Sequence, residues 1–211
     1  NLASPFEAPV FPIPPLTMKI DQAALDQLFF NARTANGFLD EPVPLEQLKE
    51  VYDIARMGAT SMNTQPTRYV FLTTPEAKAR LLPALSPGNL EKTRLAPVTV
   101  IVATDTQFYE HMPQVWHGEG AREMFAGNAA LAAETALRNS SLQGAYLMVA
   151  ARMLGLAAGP MSGFDHHKVD EHFWHGTHVK TNFVCTLGHG DPAKLFHRNP
   201  RFHFEDVCKL V

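Results

Sequence analysis

The sequence predicts a single α+β domain, on three observations. Two amphipathic stretches of helical period precede the first strand-like run. The runs "YVFLT" and "PVTVIVAT" are rich in β-branched and aromatic residues. Residues 128 to 154 contain no proline and only Gly144, the mark of a long helix. With 211 residues, 45% apolar and 18% charged, the chain is long enough to bury one core. A doubly wound nucleotide fold is disfavoured, because it would need a strand before the first helix.

Residues 1 to 17 carry Pro5, Pro9, Pro12, Pro14 and Pro15 among apolar residues, without the charged start and continuous apolar block of a signal peptide. They read as an extended arm or an added extension, and the domain proper as 18 to 211. Asp21 is placed to cap a helix in which Leu25, Leu28, Phe29 and Ala32 recur at helical spacing and which ends near "TANG". Pro44 suits the first turn of a second helix with the stripe Leu45, Leu48, Val51, Tyr52 and Ala55. A strand at 69 to 73, a helix from Thr74-Pro75 to about Leu82 and a strand at 97 to 104 follow, the two strands pairing.

Residues 105 to 127 have no clean period and are expected to form a lid or substrate-facing segment. The helix over 128 to 154 ends at Gly155 and is apolar nearly all round in "SSLQGAYLMVAA". Such a helix should be buried on more than one side, centrally or against a second subunit. A turn "GPMSGFD", a His-rich helix over about 166 to 175, a strand "TNFVCTLG" and a short helix near Glu205 complete the pattern.

Several chemistries lack their motifs. A net charge of −3 offers no broad cationic footprint for nucleic acid or an anionic membrane, and no uncharged run approaches the ~20 residues of a spanning helix. Two distant cysteines without CxxC spacing suit a reducing cytoplasm. The ten histidines include no HExxH, and no acidic ligand stands at a usual offset, so they read as surface residues and no metal is expected. Ser162 lacks a GxSxG frame, there is no Walker loop, and "GHG" is too short for a dinucleotide fingerprint.

Three uncharged polar clusters remain: "ARTANGF" (32 to 38), "GATSMNTQP" (58 to 66) and "GPMSGFD" (159 to 165). Alone, each could be an ordinary turn. In this order they resemble the flavin-binding motifs of the nitroreductase family, with the second the most specific, and the likeness runs from about residue 18 to the end. The resemblance implies a nitroreductase-like α+β fold: a central, mainly antiparallel sheet flanked by helices, with the long helix at a homodimer interface.

It also implies FMN as cofactor, NADPH or NADH as cosubstrate, and hydride passing through flavin N5 to a small electron-poor substrate. Arg33, Thr34 and Arg201 would meet the phosphate, and Asn36 the pyrimidine edge. Thr60, Ser61, Asn63 and Gln65 would line the flavin from the same chain or its partner, and the backbone of Ser162 and Gly163 would face N5. Ala32 and Asn36 stand where the family usually has cations, and Lys194 or Arg198 would supply the missing charge. No side chain is assigned a catalytic role, since the cofactor carries the chemistry.

The stretches "RTANGF", "ALSPGNLEKT" and "GPMSGFD" look most like a branch of the family that reduces malonic semialdehyde to 3-hydroxypropanoate. A broad nitroaromatic or quinone reductase would share every motif, and a flavin-storing or sensing module would share the pocket without turnover.

Overall fold

The computed structural model describes residues 19–211; the Pro-rich arm lies outside them. Asp21 caps the first helix α1 (Gln22–Leu25) by accepting from the Ala24 N–H at 2.8 Å. The helix does not run on to "TANG". It widens into a π-helical turn, Asp26–Phe30, closed by Asn31 N–H to the Asp26 carbonyl at 2.7 Å. Such turns recur at functional sites because they leave backbone carbonyls unspent. Next come α2 (Leu45–Ala55), a 3₁₀ turn (Ser61–Asn63), β1 (Thr67–Leu72), α3 (Pro75–Leu81), α4 (Pro87–Leu95) and β2 (Val98–Asp105). Helix α4 has no apolar stripe and buries only Thr93, so no periodic signal announces it.

The segment 105 to 127 is not a bare lid. It folds into a 3₁₀ turn (Phe108–His111), α5 (Met112–Val115) and α6 (Ala121–Ala126). Phe108, Met112, Ala121 and Phe125 form a small core of their own with Ala132 and Ala136. Then come α7 (Ala129–Met153), β3 (Ala157–Met161), α8 (His166–Phe173), β4 (Val179–Gly188) and α9 (Phe204–Val207). Asn128 caps α7, and Gly155 ends it at φ +79°, a conformation glycine adopts without penalty. The expected turn "GPMSGFD" is half strand: Gly159, Pro160 and Met161 belong to β3 and pair with β4.

The sheet order is β1-β2-β4-β3, every neighbouring pair antiparallel. Strand β2 is buried along its whole length because both faces are covered. Val98, Val100 and Val102 meet Val51, Leu147 and Ala151 of α2 and α7, whereas Ile101 points the other way, to Leu81 and Val169 of α3 and α8. Of the burial expected for α7 on more than one side, centrally or against a second subunit, the described residues of one chain supply one face. Within the chain one face is covered (Ala136, Leu147 and Ala151 are fully buried), and the other exposes Leu131, Leu137 and Leu142.

Gly144 is required where α7 crosses the sheet: a Cβ there would stand 2.4 Å from Phe183 Cζ and 3.3 Å from Val102 Cγ1. Alanine would gain about 1 kcal/mol of helix propensity, but overpacking costs about 1–3 kcal/mol. Gly144→Ala is therefore expected to lower the urea midpoint, and a raised midpoint would contradict this packing.

Burial sets an alkaline limit. It pushes the Cys185 thiol and the Tyr69 phenol each up to about 12. Between the unfolded values of roughly 8.5 and 10 and about 12, the native state keeps protons the unfolded chain has lost, so stability falls as pH rises. Each group contributes at most about 1.4 kcal/mol per pH unit. Urea midpoints between pH 8 and 11 should decline, and the Cys185 thiol should resist alkylation until the chain unfolds.

Candidate active site

The π-helical turn and the loop after it build the first part of the site. Residues 35 to 39 are stitched to the sheet by Ala35 N–H to the Ala158 carbonyl (3.0 Å), Leu39 N–H to the His189 carbonyl (2.8 Å) and Asp191 N–H to the Gly37 carbonyl (3.1 Å). The stitching depends on Gly159, where a Cβ would lie 2.6 Å from the Ala35 carbonyl oxygen. This fixes Arg33, Thr34 and Asn36 on the rim of a cavity of about 570 Å³, where Arg152, Arg198 and Arg201 join them. Phe29, Phe30 and Phe196 supply apolar wall.

The four guanidiniums are held by backbone carbonyls. Arg198 Nη2 donates to the carbonyls of Phe29 (2.8 Å), Phe30 (2.7 Å) and Ala32 (2.8 Å). Arg33 Nη1 donates to Ala32 at 2.9 Å, and Arg152 Nη1 to Leu28 at 3.1 Å. The carbonyls that the π turn leaves unspent thus orient the cations. Among the described residues none of the four has a carboxylate within ion-pair distance. Desolvation, and then its positive neighbours Arg33, Arg201 and Arg152, hold Arg198 below the ordinary guanidinium value. Uncompensated positive charge on an oriented frame is a receptor for a phosphate or another multiply charged anion.

The second cluster forms the turn between α2 and β1. Met62 (φ +48°), Asn63 (φ +53°) and Gln65 (φ +40°) all lie in the left-handed region without being glycine. Backbone strain of this kind collects at ligand sites. Ser61 and Asn63 are exposed, and Thr60 and Gln65 are half-buried. Asn63 Nδ2 donates to the Val115 carbonyl at 2.7 Å, which ties the turn to the 105 to 127 segment, and Gln65 Nε2 donates to Asn63 Oδ1 at 3.0 Å. Gln65 lines a separate polar cavity of about 460 Å³, beside the ion pair of Arg68 Nη2 with Asp105 Oδ2 at 2.7 Å.

The third cluster, Ser162 and Gly163, follows β3. Its backbone is pinned by α4, the element without a sequence signal: Ser86 N–H and Asn89 Nδ2 both donate to the Gly163 carbonyl, at 3.0 and 2.9 Å. A Cβ at Gly163 would meet Asn89 Nδ2 at 2.9 Å, so the glycine serves close packing against α4. Ser162 is exposed.

Of the residues singled out in the sequence, Arg33, Thr34, Asn36 and Arg201 therefore share one cavity, while Thr60, Ser61, Asn63 and Gln65 gather on the strained turn, with Ser162 and Gly163 at the end of β3. Among the described residues the arginine cavity and the Gln65 cavity are separate, and neither is lined by all three groups. Arg198 lines the arginine cavity and Lys194 does not: the Lys194 stem lies across Gly37, where a Cβ would meet its Cγ at 2.5 Å. Sequence reading missed Arg152, which looks like an ordinary cation in the last turn of a helix. It also missed Asn139 and Gln143, buried amides in the middle of α7. Their spacing of four with Thr135 was the available signal.

The α+β frame thus carries an arginine-rimmed cavity, a strained amide-rich turn and a glycine turn after β3. The chain belongs to the nitroreductase family: a sequence model described as "Nitroreductase family" matches residues 31–189. A Burkholderia lata protein named "Putative NADH dehydrogenase/NAD(P)H nitroreductase" is 56% identical over 191 residues, 90% of this chain and 98% of that protein. A Stenotrophomonas maltophilia protein with the same description is 54% identical over 192 residues, 91% of this chain and 98% of its own.

Among solved structures, a Bacillus subtilis nitroreductase superposes with a TM-score of 0.79 at 20% identity, over 90% of this chain and all of that one. An Exiguobacterium sibiricum structure described as a "putative nitroreductase in complex with FMN" also reaches 0.79, at 16% identity, over 92% of this chain and 100% of that chain. At these identities the structures establish the fold. Among the described residues no helix is long and apolar enough to cross a membrane, and no group of three His, Cys, Asp or Glu side chains stands together to hold a metal ion.

Proposed function

We propose that the protein is an NAD(P)H-dependent FMN oxidoreductase acting on small electron-poor molecules of the nitroaromatic and quinone class. The observation that carries this reading is the arginine cavity: four guanidiniums and the Thr34 hydroxyl, without a carboxylate partner among the described residues, fit the phosphate of FMN. The names of the relatives supply the reductant and the substrate class. When bound, FMN supplies the hydride relay through N5 between NADPH or NADH and the substrate.

The chain's own residues bind and orient. Arg33, Arg198 and Arg201, with Arg152 lining the same cavity, would hold the phosphate end, and Asn36 adds an amide to that cavity. Thr60, Ser61, Asn63 and Gln65 offer neutral donors and acceptors that suit the edge of an isoalloxazine without a competing charge. The backbone at Ser162 and Gly163 is held rigidly enough by Ser86 and Asn89 to present an N–H to the ring.

The site is completed by a second copy of the chain. The strained turn lies apart from the arginine cavity, and large apolar residues stand exposed on α7 and along the tail, with Leu137 at 56%, Phe202 at 81% and Leu210 at 86%. Patches of this kind mark an interface. In a twofold assembly each site would take its arginines from one chain and its amide turn from the other.

Malonic semialdehyde reduction is the finer alternative, motivated by the sequence stretches quoted above. That substrate needs a cation facing its carboxylate, and Arg68, which donates to the Gln65 carbonyl of the amide turn, is already paired with Asp105. Turnover decides: FMN-loaded protein given NADPH or NADH should reduce a nitroarene or quinone faster than malonic semialdehyde. The reverse order would restore the aldehyde reading, and no turnover of either would leave a flavin-binding module.

A further inference from the structure

We infer that Asn139 and Gln143 of α7 are positioning residues that bracket the amide-rich turn and set its ligand-binding shape; the inference rests on the proposal that this turn contacts FMN. Ser61 N–H donates to Asn139 Oδ1 at 2.8 Å. Six positions further on, where β1 begins, Thr67 donates to Gln143 Oε1 through both its N–H (3.1 Å) and its hydroxyl (2.7 Å). Asn139 and Gln143 are 1% and 6% exposed, so these bonds form away from water. The orientation of Asn139 is fixed from both ends, because its Nδ2 donates to the Thr135 carbonyl at 2.8 Å, leaving only Oδ1 to face Ser61.

The bracket accounts for the backbone strain. Residues four apart on a helix rise by ~6 Å, whereas the six residues from Ser61 to Thr67 would span ~20 Å if extended. Held at both ends by one turn of α7, the segment has to double back. It does so through the left-handed conformations of Met62, Asn63 and Gln65, each of which costs about 1–3 kcal/mol and persists only where its surroundings over-determine it. The exposed Ser61 and Asn63 side chains are displayed as a consequence, while Asn63 Nδ2 is steadied by the Val115 carbonyl. Asn139 acts through the turn alone, while Gln143 holds Thr67 and also borders the cavity that Gln65 lines.

The test uses the full-length protein with FMN, and three variants. Asn139→Ala removes the acceptor for Ser61. Gln143→Met keeps length and loses the acceptor, and Gln143→Glu keeps an oxygen for both Thr67 donors. The expected result is FMN affinity lower by about tenfold or more in Asn139→Ala and Gln143→Met, with the visible bands of bound flavin shifted, and recovery of both readouts in Gln143→Glu. Amide exchange at residues 61 to 65 should quicken in Asn139→Ala while β2 and β4 stay protected.

Folded variants that bind FMN with wild-type affinity and an unshifted spectrum would overturn the inference, as would loss of protection spread evenly over the sheet. Wild-type protein that takes up no FMN would overturn the functional reading instead. The exchange measurement would then still decide whether α7 holds the turn.

Discussion

Removing the Arg33 guanidinium weakens FMN binding by about 10- to 100-fold, and removing Arg33 and Arg198 together weakens it by about 10³-fold, with the fold intact. Hydrogen bonds to charged groups are worth about 1.5–3 kcal/mol each, and these cations stand around one cavity without carboxylate partners among the described residues. Losses of this size leave the variant colourless after gel filtration where the wild type is yellow. Lys194→Ala is the internal control: its stem crosses Gly37 and does not line the cavity, so flavin content should hardly change. Flavin fluorescence titrations at low and at high salt check both points, since contacts that remain solvent-exposed weaken as salt rises.

Leu137→Glu is expected to split the proposed dimer into monomers and to abolish turnover. Leu137 is 56% exposed on the uncovered face of α7, with the small exposed residues Ala133 and Ser141 one turn away on either side. A twofold contact would bury the new carboxylate unpaired, twice per assembly, at several kcal/mol each. Sedimentation and flavin content report the result together. A monomer that retains FMN and activity would show that one chain holds a complete site, contrary to the separation of the arginine cavity from the amide turn.

Much of this arrangement is readable from residues alone. Strand β2 announces itself through its β-branched run, which suits a strand covered on both faces. The expected cap Asp21 and the terminator Gly155 act within a few residues of their own positions and stand at real helix ends, and the expected helix starts at Thr74 and about Asn128 prove to be capped by those residues. The features that escape are set by distant partners. The π turn ends α1 early, and its carbonyls are taken by Arg152 and Arg198 from the far end of α7 and from the tail. Helix α4 has a polar circumference and is held by contacts at its start with Gly163.

The left-handed Met62, Asn63 and Gln65 lack the glycine that would mark such a backbone, because the constraint lies in Asn139 and Gln143. The motifs single out the three polar groups. They do not reveal that one chain keeps the groups apart.

The account stands on the arginine cavity and its amide partners holding FMN in a redox-active pose. The most direct measurement is the visible absorption spectrum of protein purified without added flavin, followed by anaerobic addition of NADPH or NADH. The prediction is a yellow protein with the two flavin bands, bleached by the reduced nicotinamide and restored by a nitroarene or quinone. A colourless protein that neither takes up FMN nor gains the roughly 2.7 kcal/mol expected at a hundredfold excess over the dissociation constant would contradict it.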